Sequence, residues 1–319
     1  MPDILLVLLG LTVLVAAGEA TLRGAVSLAR KLNMPPAAIG LTIVGFGTSL
    51  PELVVSVQAA FDARPGFAVG NAVGSNIANC LLILGCAALV RPLRCEPRSL
   101  RRDGGAMLVA TLICIALGLS GQVVFWQGGL MIVMLFAFIG WSYQQDRKWA
   151  DLPAALHEKE GEAIEVVPES TAFVVAMLLS GLAGLGIGAD MMVEGAAAIG
   201  ARAGIPDAVL GLTVFAFGTS LPELVAAMVA AGRGHTDVAV GNVIGSNIFN
   251  LMGILGAASL VTPIPFNDAL QQIDLWVLLA ATLVLFPIII TGWRISRREG
   301  TLLLCCYIGY IASIAWRTS

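Results

Sequence analysis

Two glutamates each lie near the middle of a long apolar segment and close the same hexapeptide, Gly-Thr-Ser-Leu-Pro-Glu, at 47–52 and 218–223. A carboxylate at mid-bilayer costs at least about 2.5–3.5 kcal/mol even on the lenient insertion scale, so an acid kept there twice in one context points to chemistry rather than packing. Pro51 and Pro222 carry no backbone N–H, which leaves the carbonyls of Gly47 and Gly218 without helical donors, and the glycines loosen the same turn. Unwound backbone at membrane depth survives only where it is buried in protein or lines a cavity. Free carbonyls, the hydroxyls of Thr48, Ser49, Thr219 and Ser220, and the carboxylates of Glu52 and Glu223 make an all-oxygen environment. Such ligands suit hard cations: Ca2+ takes about 6–8 oxygens, and two bidentate carboxylates with two carbonyls reach the lower end of that range.

A second doubled motif, Gly-Asn-x-x-Gly-Ser-Asn-Ile-x-Asn, follows at 70–79 and 241–250. Ser75 and Asn79 are four residues apart, as are Ser246 and Asn250, so each pair shares a helix face. In lipid such residues act either as interhelical glue or as ligands, and two copies, each following a proline-broken acidic helix, favour coordination. Of the 21 acids, three others are read as lying within the apolar segments rather than at their first residues. Glu19 has Arg23 one turn later and reads as half of a structural ion pair. Asp190 and Glu194, toward the outer end of the sixth segment, read either as solvated residues or as a weak cation funnel.

The elements that must hold these residues follow from composition. The chain has 319 residues, 58% hydrophobic and 12% charged, with mean hydropathy +0.89, whereas soluble domains carry roughly a quarter charged residues. A soluble globular fold is excluded. Ten segments of transmembrane length are expected at 3–30, 37–61, 67–90, 104–120, 122–143, 171–200, 208–231, 238–261, 273–291 and 300–316. Trp126 and Trp141 bracket the fifth and Trp276 and Trp293 the ninth, as in interfacial aromatic belts. The net charge of -3 and the lack of a basic tract exclude nucleic acid as a partner. Cys80, Cys86, Cys95, Cys114, Cys305 and Cys306 follow no framework spacing and read as packing residues.

Shifting the sequence by 171 residues superimposes 40–54 on 211–225 with 12 identities in 15 positions, and 68–79 on 239–250 with 9 in 12. The same register carries Glu19 onto Asp190, Gly24 onto Gly195 and Pro35 onto Pro206. The expected organisation is therefore a first five-helix repeat at 1–143, a linker at 144–170 and a second repeat at 171–319. Five is odd, so the second repeat must enter the membrane inverted relative to the first. The ends after the odd-numbered segments hold 14 Lys and Arg, against only Arg64, Arg202 and Arg317 on the opposite side. By the positive-inside rule the odd-numbered connections and the linker are cytoplasmic, and both termini lie outside. The linker holds seven acids and three bases and reads as a solvated connection, too short for a folded regulatory domain.

The paired motifs resemble the alpha repeats of the calcium/cation antiporter superfamily, specifically the sodium/calcium exchangers, and the resemblance spans essentially the whole chain. It implies an all-α membrane protein of ten helices in two inverted repeats, multi-pass in the cytoplasmic (inner) membrane of a prokaryote. It implies Na+ and Ca2+ as transported ligands, with no covalently bound cofactor. By position it makes Glu52 and Glu223 the principal ligands. Oxygens of Thr48, Ser49, Thr219 and Ser220, carbonyls near Gly45 and Ala216, and the side chains of Ser75, Ser246 and Asn79 would complete the set. Some members have Asp where this chain has Asn250, a departure that removes a negative charge from the centre. The first and sixth segments would form a gate sliding over a fixed core, with Gly181, Gly184, Gly186 and Gly188 allowing close contact.

Three other readings compete with this one. A Ca2+(cation)/H+ antiporter would use the same carboxylates. An intramembrane hydrolase built on Ser49 or Ser220 fails, because His157, His235, Lys31, Lys148 and Lys159 all fall outside the apolar segments and no buried base is at hand. A purely structural membrane protein would not need duplicated acids at the bilayer centre.

Overall fold

The computed structural model describes residues 2–32, 45–95, 97, 100–148, 170–234 and 236–318, and these are almost entirely helical. Among the described residues eight helices are long and apolar enough to cross a membrane: α1 (Asp3–Lys31), α3 (Pro65–Val90), α4 (Leu100–Leu119), α5 (Phe125–Ser142), α6 (Thr171–Ala203), α8 (Val238–Val261), α9 (Leu270–Ile290) and α10 (Arg297–Arg317). A ninth span is a pair, α7a (Asp207–Thr219) and α7b (Leu221–Arg233), bent by 43°. The shorter α2 (Leu50–Phe61) lies where 37–61 was expected, and that segment is described only from Gly45 onward. Pro35, His157, His235 and most of the linker, 149–169, lie outside the described residues.

Helices α1 and α6, equivalent under the 171-residue shift, pack along each other in opposite directions. Gly195 faces Val7, Gly188 faces Gly10 and Leu14, Gly181 faces Thr21, and Leu178 faces Gly24. Contact is so close that a Cβ on Gly10 would lie 2.8 Å from the Gly188 carbonyl oxygen, and one on Gly181 2.4 Å from Thr21 Oγ1. Small residues let the two backbones approach where dispersion alone must hold helices together. Of the four expected contact glycines, Gly181, Gly184 and Gly188 sit in this seam, while Gly186 faces open space. The Glu19–Arg23 ion pair forms, and both side chains are exposed, as are Asp190 and Glu194 on α6.

Helices α3 and α8, which carry the second motif, are the centre of the molecule: 78% and 72% of their apolar windows are buried, against 22–44% for the other six long spans. Each contains a π-helical turn, Asn79–Ile83 in α3 and Phe249–Ile254 in α8, closed by Leu84 N–H donating to Asn79 O and Leu255 N–H to Asn250 O. Such turns re-aim side chains within a helix and recur at functional sites. Two short antiparallel strand pairs cross between halves: β1 (Leu93–Arg94) with β4 (Arg294–Ile295), and β2 (Gln122–Val123) with β3 (Ile264–Pro265).

The three cations counted on the sparse side are each held by an acid: Arg64 by Asp207 at 3.4 Å, Arg317 by Asp274 at 2.8 Å, and Arg202 by Asp3. Asp274 corrects the expectation of five in-span acids. It is 1% exposed in the first turn of α9, which starts at Leu270 rather than 273, and it also accepts from the Tyr310 hydroxyl at 3.0 Å. A buried carboxylate survives there because a guanidinium and a hydroxyl both pair with it.

Candidate cation site

The two hexapeptides adopt the same turn. Ser49 (φ -89°, ψ 10°) and Ser220 (φ -82°, ψ 7°) each break the chain, and α2 and α7b restart one residue later with Pro51 and Pro222 in the first turn. Proline is tolerated there because first-turn N–H groups have no intrahelical acceptor. The turn sets Glu52 and Glu223 three residues beyond the serines, where the two halves meet. Ser49 Oγ donates to Glu223 Oε1 at 3.0 Å, and Ser220 Oγ donates to Glu52 Oε1 at 3.0 Å. Each carboxylate is thus fixed by the hydroxyl of the opposite repeat, and both glutamates are 1% exposed.

Close packing of α3 on α7a brings the second motif to this crossing. A Cβ on Gly70 would lie 2.3 Å from Ala208 O, and one on Gly74 2.8 Å from Leu212 O, so only glycine lets the helices meet at these two points. Asn71, one turn before Ser75, becomes a hub. Its Nδ2 donates to Glu52 O at 3.2 Å and to Ser56 Oγ at 2.9 Å, and its Oδ1 accepts from Thr219 Oγ1 at 3.2 Å and Ser75 Oγ at 3.4 Å. Below it Asn79 Nδ2 donates to Asn247 Oδ1 at 3.0 Å. Of the expected carbonyls, that of Ala216 accepts from Ser220 N at 3.3 Å with one lone pair to spare, and Gly45 opens the helical turn Gly45–Gly47.

Several buried atoms are left without a partner. Within the doubled motifs, Glu52 Oε2, Glu223 Oε2, Thr48 Oγ1, Ser246 Oγ, Asn76 Oδ1, Asn79 Oδ1, Asn250 Oδ1 and Asn242 Nδ2 have none among the described residues. Seven of these eight are oxygens, and Asn242 Nδ2 is the nitrogen. Buried polar atoms are normally satisfied, and each orphan costs about 1–3 kcal/mol, more when charged. Orphaned oxygens in the same motifs as two buried carboxylates are the ligand type that a dehydrated hard cation takes.

Of the expected residues, Glu52, Glu223, Ser49, Ser220, Thr219 and Ser75 are joined by the hydrogen bonds above, while Thr48, Ser246 and Asn250 contribute free oxygens. Asn71, Asn76 and Asn247 were not foreseen, although all three stand inside the second motif.

The sodium/calcium exchanger protein family model matches residues 3–144 and 173–316 of the chain. The chain is 37% identical over 313 residues to the putative antiporter CaxA of Alkalimonas amylolytica, covering 95% of this chain and 96% of that protein. It is 33% identical to the sodium/calcium exchanger MaX1 of Methanosarcina acetivorans, covering 97% of each. Its fold is similar to that of the sodium-calcium exchanger NCX_Mj soaked with Na+ and Ca2+, with TM-score 0.64, 30% identity and 98% of both chains covered.

Proposed function

The chain belongs to the sodium/calcium exchanger protein family, and from that premise we propose that it exchanges Na+ for Ca2+ by alternating access, binding both between Glu52 and Glu223. The observation that carries this reading is the reciprocal pair of serine–glutamate bonds, which uses one oxygen of each carboxylate and leaves the other buried and unpaired. Two carboxylates about 6 Å apart at an effective dielectric near 20 repel by roughly 3 kcal/mol, so the empty site resists changing access. One divalent ion, or two or more monovalent ions, removes that penalty. Exchange rather than leak follows, because the protein crosses between its two states only when loaded. A load of three Na+ on a site near -2 would carry +1, making transport voltage-sensitive at about 2.3 kcal/mol per charge per 100 mV.

The architecture we propose is ten spans in two inverted repeats. The antiparallel seam of the equivalent helices α1 and α6 supports it. So do two contacts between residues 171 apart, Thr111 Oγ1 with Thr282 Oγ1 at 3.3 Å and Asn76 Nδ2 with Asn247 O at 3.3 Å. Equivalent residues that touch each other lie on a pseudo-twofold axis. With the odd-numbered connections cytoplasmic, a cysteine placed at 147–165 should be shielded from impermeant thiol reagents in intact cells, and one at Ser319 should be labelled. The background must lack reactive native thiols, and reversed labelling refutes the orientation.

The decisive experiment is radioactive Ca2+ uptake into proteoliposomes with an outward Na+ gradient. Uptake that follows the Na+ gradient and is lost in Glu52→Gln supports the reading. Na+-independent uptake driven by an outward H+ gradient would assign the same site to Ca2+/H+ exchange instead.

A further inference from the structure

Asn247 stands outside the ligand set expected for the site, yet its amide is held at both ends. Its Nδ2 lies 3.1 Å from Cys80 Sγ and 3.3 Å from Met107 Sδ, and its Oδ1 accepts from Asn79 Nδ2 at 3.0 Å. A thioether has no proton to give, so only the amide nitrogen can face Met107. That choice fixes the rest. With Nδ2 on the sulfurs, Asn247 presents an oxygen to Asn79, and Asn79 must answer with its nitrogen. Its own oxygen is thereby turned away, and Asn79 Oδ1 is one of the buried atoms without a partner.

We propose that Asn247, pinned by the Cys80 and Met107 sulfurs, is a positioning residue that makes Asn79 present its oxygen, never its nitrogen, to the cation. The proposal rests on the ion-site reading above and adds to it an asymmetry between the repeats. Under the 171-residue shift Asn247 corresponds to Asn76, Cys80 to Leu251 and Met107 to Leu278. Two leucines offer no acceptor. Asn76 Nδ2 goes instead to the main-chain oxygen of Asn247, its Oδ1 stays unpaired, and among the described residues nothing comparable directs Asn250. Asn79 is thus held with its oxygen turned away from Asn247, and Asn250 has no such relay among the described residues.

The test is the Ca2+ dependence of Na+-driven uptake by reconstituted full-length protein carrying Cys80→Ala with Met107→Leu. This pair removes both acceptors while keeping the core apolar and close to its original volume. The expected result is a KM for Ca2+ raised about fivefold, the worth of one ordinary hydrogen bond, with maximal rate within about twofold. Restoring one acceptor in Cys80→Ser with Met107→Leu should bring KM back toward wild type. In an Asn79→Ala background the same pair should add nothing, because the group it positions is gone. An unchanged KM in the first variant, or an equal shift with and without Asn79, overturns the proposal. If the pair fails to fold, judged by monodispersity in detergent, Met107→Leu alone tests the same relay, with a smaller KM shift that must likewise vanish in Asn79→Ala. Should Glu52→Gln retain Ca2+ flux, the ion site itself is wrong; if that flux is lost but the sulfur variants behave as wild type, only the relay fails.

Discussion

Beside Glu52, Asn71 donates twice and accepts twice, whereas its equivalent in the second repeat, Asn242, leaves Nδ2 with no acceptor among the described residues. The difference traces to few positions. Ser56, which takes one proton from Asn71, corresponds to Ala227, which takes none. The hydroxyls of Thr219 and Ser75 lie within hydrogen-bond reach of Asn71 Oδ1, that of Thr219 also of Phe215 O at 2.8 Å, while their counterparts Thr48 and Ser246 have unpaired oxygens among the described residues. The serine–glutamate crossing is nonetheless alike in both halves at 3.0 Å. The crossing at the carboxylates is therefore common to both repeats, while its surroundings have diverged. The hub at Asn71 is closed by hydrogen bonds, and its counterpart at Asn242 is left open among the described residues.

The largest effect tests what the halves share. Glu52→Gln and Glu223→Gln should each abolish Na+-driven Ca2+ uptake while leaving monodisperse protein, since each removes half of the site charge. Appreciable flux in either would mean that the two carboxylates are not equivalent partners. A smaller effect separates the hub from its counterpart. Asn71→Ala should destabilise the protein by about 2–4 kcal/mol, because it strands several buried partners at once, whereas Asn242→Ala should cost less than about 1 kcal/mol. Melting temperatures in detergent read the contrast, and equal losses would erase it. The smallest effect comes from exchanging one hydroxyl between halves. Ala227→Ser, by giving Asn242 an acceptor, should stabilise by about 0.5–1.5 kcal/mol, and Ser56→Ala should lose a similar amount. A destabilising Ala227→Ser would show that Asn242 does not face that position.

The carboxylates and their serines could be read before any coordinates, because a charged residue in an apolar span is conspicuous and its duplication more so. The hub at Asn71 is equally legible in spacing alone: positions 71, 75 and 79 are four apart on one face of α3, and the pairing of Ser75 with Asn79 extends one turn back to Asn71. Asn247 was not readable in that way. Its partners Cys80, Met107 and Asn79 all lie in the other repeat, and periodicity within one helix carries no information about the facing one. Asp274 was hidden by a boundary: with the ninth span beginning at 273 this acid reads as a terminal residue of its segment, while α9 starts at Leu270 and buries it against Tyr310 and Arg317. The bend between α7a and α7b followed from Pro222, a local cause that sequence displays.

The strand pairs between halves also set a timetable. Leu93–Arg94 leave the ribosome about two hundred residues before Arg294–Ile295, the strand they must meet. At about 5–20 residues per second that interval is on the order of 10–40 s. Throughout it β1 is unmatched, and until Ser220 is made Glu52 also lacks the hydroxyl that holds it. Nascent chains arrested before Ser220 should therefore hold a buried-site acid without its partner, which the insertion machinery must shelter until the second hexapeptide arrives.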